Sequence, residues 1–74
     1  MNERMIAIME MMQKQIVRID AQQANYQRYK ARSVFYRGKK DDDRHSHEMQ
    51  IKKMALSRLG AAYNKCLTQI NNQI

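Results

Sequence analysis

The segment Arg37-Gly38-Lys39-Lys40-Asp41-Asp42-Asp43 (RGKKDDD, residues 37–43) sits at the middle of a 74-residue chain, and its reading decides the fold. The chain has no proline and only two glycines, so few positions can interrupt a helix. Gly38 can take the left-handed conformation that closes a helix, and the cations Arg37, Lys39 and Lys40 suit the negative end of a helix dipole. The three aspartates that follow suit the opposite pole, where carboxylates accept hydrogen bonds from the free amides of a helix start. Ser46 competes as a cap, so the second helix is expected to begin between Asp42 and His47.

Working outward, both flanks carry helical spacing. Upstream, Met5, Met12, Ile19 and Tyr26 recur every seven residues. Ile8, Tyr29 and Tyr36 fill the complementary seam positions, with Ile16 beside a gap at Gln15. Steps of three and four place these side chains on one stripe. Downstream, Met49, Leu56, Tyr63 and Ile70 repeat the interval, and Leu59 and Cys66 take the other seam position, widened by Ala55, Ala62 and Leu67. Gly60 lies inside this run and is expected to mark close approach between helices in preference to a kink. Two such helices joined by a short polar turn fold back on each other. The expected fold is therefore all-α, an antiparallel, coiled-coil-like two-helix hairpin forming a single domain over residues 1–74. Helix 1 is expected at about residues 2–37, with its end anywhere between Arg32 and Arg37 because Ser33-Val34-Phe35-Tyr36 favours helix less than what precedes it; the turn is expected at 38–43 and helix 2 at about 44–73.

A chain this short supplies only about 3–5 kcal/mol from its core unless something reinforces it. Cys66 is the only cysteine, so a disulfide within the chain is excluded. The stripes are wider than one facing helix can cover, with Met9, Met12, Ile16, Ile51 and Met54 left over. Completion of a bundle, by dimerisation or by a partner protein, is the expected remedy. Without a long apolar run no transmembrane helix is expected, and Glu3, Arg4 and Glu10 break the pattern of a signal peptide. The expected address is a reducing cytoplasm, with no membrane partner.

Enzymatic constellations are missing. No glycine-rich phosphate loop or nucleophile elbow is present, and no metal-binding cysteine pattern. Cys66 and the pair His45 and His47 lie at opposite ends of the second helix, roughly 30 Å apart at 1.5 Å per residue. His45 and His47, two residues apart, would point to different sides of a helix and are read as solvated turn residues. No catalytic residue, metal ligand or cofactor is expected.

The charge is the informative feature. The net +7 is concentrated at the centre: residues 21–40 hold Arg28, Lys30, Arg32, Arg37, Lys39 and Lys40 and no acid. Four of the five aromatic residues, Tyr26, Tyr29, Phe35 and Tyr36, are interleaved with them. Arg18 and Arg32 flank one edge of the seam and Lys30 the other, where the second helix offers only Glu48 as an acid. These cations are expected to engage an anionic partner. Met5, Ile8, Met12, Ile16, Tyr36, Ile51 and Met54 are the expected apolar and aromatic anchors. The leading expectation is a small, non-enzymatic basic protein that docks stoichiometrically on a larger acidic protein or nucleoprotein complex, as inhibitor, adaptor or chaperone. Size and charge are those of many virus-encoded or mobile-element regulators. The alternative is direct, sequence-independent nucleic-acid binding by a homodimer, with phosphates neutralised by the same cations.

Overall fold

A computed structural model describes residues 2–72 as two helices, α1 (Glu3–Arg32) and α2 (Lys39–Asn72), packed antiparallel as a hairpin. Asn2 caps α1: its Oδ1 accepts the Met5 amide at 2.8 Å. At the other end the Ser33 amide still donates to the Tyr29 carbonyl at 2.8 Å, but Ser33 itself is extended (φ −83°, ψ 134°). Its Oγ then accepts the Phe35 amide at 3.1 Å, folding the chain locally.

The turn therefore occupies residues 33–38 and not 38–43. Helix 1 stops at Arg32, the near limit of the range expected for its end, and helix 2 starts at Lys39 instead of 44. The reason is local chemistry. Ser33, Val34 and Phe35 are weaker helix formers than the residues before them. Gly38, at φ 66°, does adopt the left-handed conformation, but it directs the chain into α2, where its carbonyl accepts the Asp42 amide at 3.0 Å. Asp41 and Asp42 then fall in the first turn of α2, as expected of acids at a helix start. Gln73, the last residue expected in helix 2, lies outside the described residues.

The seam between the helices has three zones. At the open end Met5, Ile8 and Cys66 are buried together, with Met12, Leu59, Ala62, Tyr63 and Ile70 packed around them. Ile19 and Met49 are buried in the middle, next to a polar layer. There Gln22 donates from Nε2 to Glu48 Oε2 at 3.1 Å and accepts from Lys52 Nζ. The third zone, at the turn, is built from tyrosine and aspartate. α2 passes through Gly60 without interruption. A Cβ there would sit 3.9 Å from Met12 Cε, so the approach is ordinary contact and does not demand glycine.

The result is a rod with extents of 59 × 17 × 11 Å. Its accessible surface is 6082 Å², against about 4,800 Å² for a compact protein of this mass.

Candidate functional site

At the turn, Asp41 and Asp42 act as a double anchor for α1. The Tyr29 hydroxyl lies 2.7 Å from Asp41 Oδ2 and 2.9 Å from the Phe35 carbonyl, placing its single proton among acceptors on α2 and the turn. Asp41 also accepts the Arg37 amide at 3.0 Å and Arg37 Nε at 3.2 Å. It is the only buried charged residue among those described, and these bonds supply what a buried carboxylate requires. Asp42 accepts from the Tyr26 hydroxyl, from the Tyr36 hydroxyl at 2.9 Å and from Lys30 Nζ at 3.3 Å. The rings are packed as well. Tyr26 stacks on His45 at 3.9 Å between centroids, Tyr29 meets Tyr36 edge-on at 6.1 Å, and Lys30 Nζ lies 5.6 Å from the Tyr36 ring centre.

The proton affinities follow the geometry. Donation from Tyr29 and from the Arg37 amide holds the Asp41 carboxyl below the usual carboxylate range. Donation from Tyr26 and Tyr36 does the same for Asp42. Desolvation, with the bond to Asp42, raises the Tyr26 phenol well above its ordinary value; the bond to Asp41 raises Tyr29. The bond to Asp42 raises Lys30.

This clasp sorts the cations expected to bind a partner. Lys30 and Arg37 are paired with Asp42 and Asp41, so part of the central charge is answered within the chain. Arg28 is exposed and donates to Asn25. Arg32, Lys39 and Lys40 are exposed and have no ion pair among the described residues. The apolar anchors divide too. Met5 and Ile8 are interior to the hairpin and Met12 packs on them, so these three hold the helices together instead of facing a partner. Tyr36 belongs to the clasp. Ile16, Ile51 and Met54 are exposed. His45, read as a solvated turn residue, is instead the half-buried stacking partner of Tyr26, because α2 begins earlier than expected and places it on the seam.

Two features were missed at the level of sequence. The first is the tip: Val34 and Phe35 are 91% and 77% exposed, an apolar pair with Arg32, Arg37, Lys39 and Lys40 around it in the chain. The second is a division of the rod into two unlike sides. In an antiparallel pair, the positions flanking the seam on one side of both helices form one face. One side carries Arg4, Lys14, Arg18, Arg28 and Arg32 from α1 and Arg44, Arg58 and Lys65 from α2, all exposed. Its acids are Asp41, buried in the clasp, and Glu48, paired with Arg44 at 3.5 Å. The opposite side of the open-end half holds Ile6, Met9, Gln13 and Ile16 against Ser57, Gly60, Asn64 and Leu67, and carries no charge. The register expected from the seam contains both faces, but only the antiparallel pairing of two particular flanks brings them together.

The described residues contain no cluster of histidine, cysteine and carboxylates that could hold a metal ion, and Cys66 is buried as a packing residue. No described helix is long and apolar enough to cross a membrane. Comparison with protein families, with curated proteins and with solved structures finds no match to this chain.

Proposed function

We propose that this chain is a small non-enzymatic binding protein that docks stoichiometrically, through its cationic face and tip, on a larger anionic partner such as a nucleoprotein complex or an acidic protein. One observation carries the reading: the basic side runs along both helices, and the two acids on that side, Asp41 and Glu48, are engaged in the clasp and in the pair with Arg44. The side's surplus of positive charge is therefore left for a partner. Inhibition, adaptation and chaperoning are all activities that such docking can perform.

The extent of the face favours a nucleic-acid backbone within that partner. The cations run from Arg4 and Lys65 near the open end to Arg32 near the tip of a 59 Å rod. A phosphate backbone offers anions over such a span, whereas an acidic protein pocket is compact. Lysine and arginine contacts to phosphate position a protein without reading sequence, so recognition would be of charge and shape.

Fluorescence anisotropy with labelled duplex and single-stranded DNA and RNA, over a salt series, tests this. Engagement of six or more phosphates predicts a loss of affinity of about 10³–10⁵ between 50 and 200 mM salt. The combined substitution Arg28→Glu, Arg32→Glu and Arg58→Glu should abolish binding and leave helicity unchanged. Absence of binding to every nucleic acid at low salt eliminates the backbone reading and leaves the acidic protein. Partner binding that survives the triple substitution rules out the cationic face.

A further inference from the structure

We infer that the uncharged side of the open-end half is a self-association surface, and that its occupant is a second copy of this chain, packed as an isologous four-helix dimer. The inference does not rest on the anionic partner, since it concerns the opposite side of the rod.

Three observations point to a second copy. First, the surface is too large for the mass: 6082 Å² exceeds the compact expectation by about 1,300 Å². That is more than the roughly 800 Å² each partner buries in a standard interface. Second, the exposed apolar side chains on this side cluster at the open end. Ile6, Met9 and Ile16 lie on α1, and Leu67 lies opposite on α2, with Gly60 and Ser57 beside them as small residues that permit close approach. Third, charge selects the geometry. A chain of net charge +7 repels its own copies almost everywhere. The side bearing Met9 and Ile16 carries no charge until Asp20 on α1 and Lys53 on α2, so copies can meet there without burying or opposing cations. A two-fold axis across the rod sets the two tips at opposite ends, and both basic sides remain outward.

Met9 and Ile16 are 36% and 44% exposed in the single hairpin, at the flank of the seam and outside its buried cluster. Sedimentation equilibrium of the full chain, from low micromolar to several hundred micromolar, should give a mass twice the 8.9 kDa of one chain. Ile16→Glu should weaken the dimer by at least about 30-fold, as expected for a buried anchor. Ile51→Glu, at a somewhat more exposed isoleucine outside this side, should leave it intact. If Ile16→Glu also loses helicity by circular dichroism, the melting of the unaltered chain decides: a concentration-dependent midpoint supports the dimer and a concentration-independent one overturns it. A monomeric mass throughout the range overturns the inference, as does dissociation by Ile51→Glu with Ile16→Glu unaffected. Charge reversal at Arg28, Arg32 and Arg58 should leave the mass unchanged, which separates this surface from the docking face.

Discussion

A methyl group added at Gly60 would meet only Met12 Cε, 3.9 Å away, in ordinary van der Waals contact. Glycine in a helix interior costs about 0.5–1 kcal/mol relative to alanine. Gly60→Ala should therefore stabilise the hairpin by about that amount, raising the midpoint of thermal unfolding by roughly 4–8 °C per kcal/mol for a chain this small. Gly38 is the reverse case. Nothing lies within 4 Å of a Cβ there, yet its φ of 66° disfavours any side chain. Gly38→Ala should cost about 1–2 kcal/mol, with Gly38→Asn milder because asparagine tolerates this conformation. Ile19, buried in the middle of the seam, should be more sensitive still. Ile19→Ala is expected to cost about 2–5 kcal/mol, comparable with the whole stability of a core this size. Loss of the cooperative melt in circular dichroism would show it. The two glycines are alike in sequence, and only backbone geometry and neighbouring atoms separate the one that can be replaced from the one that cannot.

Between elements, the clasp ties α1 to the start of α2 through protons, so the hairpin should respond to pH at both extremes. Asp41 and Asp42 ionise more readily in the folded chain than in the unfolded one. Their contribution is complete above the ordinary carboxylate value of about 3.9 and is lost as pH falls through their lower folded values. Tyr26, Tyr29 and Lys30 hold their protons more tightly when folded. Their contribution is complete below about pH 10 and is lost as pH climbs towards their raised folded values. Thermal midpoints should form a plateau at intermediate pH that falls away in acid and in alkali. Absorbance at alkaline pH should show Tyr26 and Tyr29 ionising later than free tyrosine, together with loss of helicity. Asp42→Asn should lower the plateau and make its fall shallower at both ends, because the contributions that Asp42 makes and induces are then absent at every pH; an unaltered profile would mean the clasp does not couple the helices. The helices and their seam were legible because a seven-residue recurrence depends only on local spacing. The turn was legible only in part: the weak helix preference of Ser33, Val34 and Phe35 ends α1, but the early start of α2 goes with bonds from Tyr29 and Tyr36 to Asp41 and Asp42 that the sequence pattern does not display.

For the whole molecule, charge segregation matters more than net charge. The excess of lysine and arginine was plain from composition, but the gathering of eight of the fourteen on one side required knowing which flanks of the two helices coincide. The tip follows the same logic. Val34 and Phe35 contribute almost nothing to the interior, so Val34→Ser combined with Phe35→Ser should leave the melting temperature within about 0.5 kcal/mol equivalent, the usual range for surface changes. If the tip takes part in docking, the same pair of substitutions should weaken partner binding in the anisotropy assay, with the salt slope unaltered.

The non-helical link also makes the hairpin divisible. Phe35 lies exposed in the turn between two long helices, in the accessible non-helical backbone where proteases cut first, whereas Tyr26, Tyr29 and Tyr36 have their rings engaged in the clasp. Brief digestion should nick the chain there first. The two peptides it releases report on what the link contributes: helices that remain paired after the cut are held by side chains alone, and helices that separate relied on their tether to find each other.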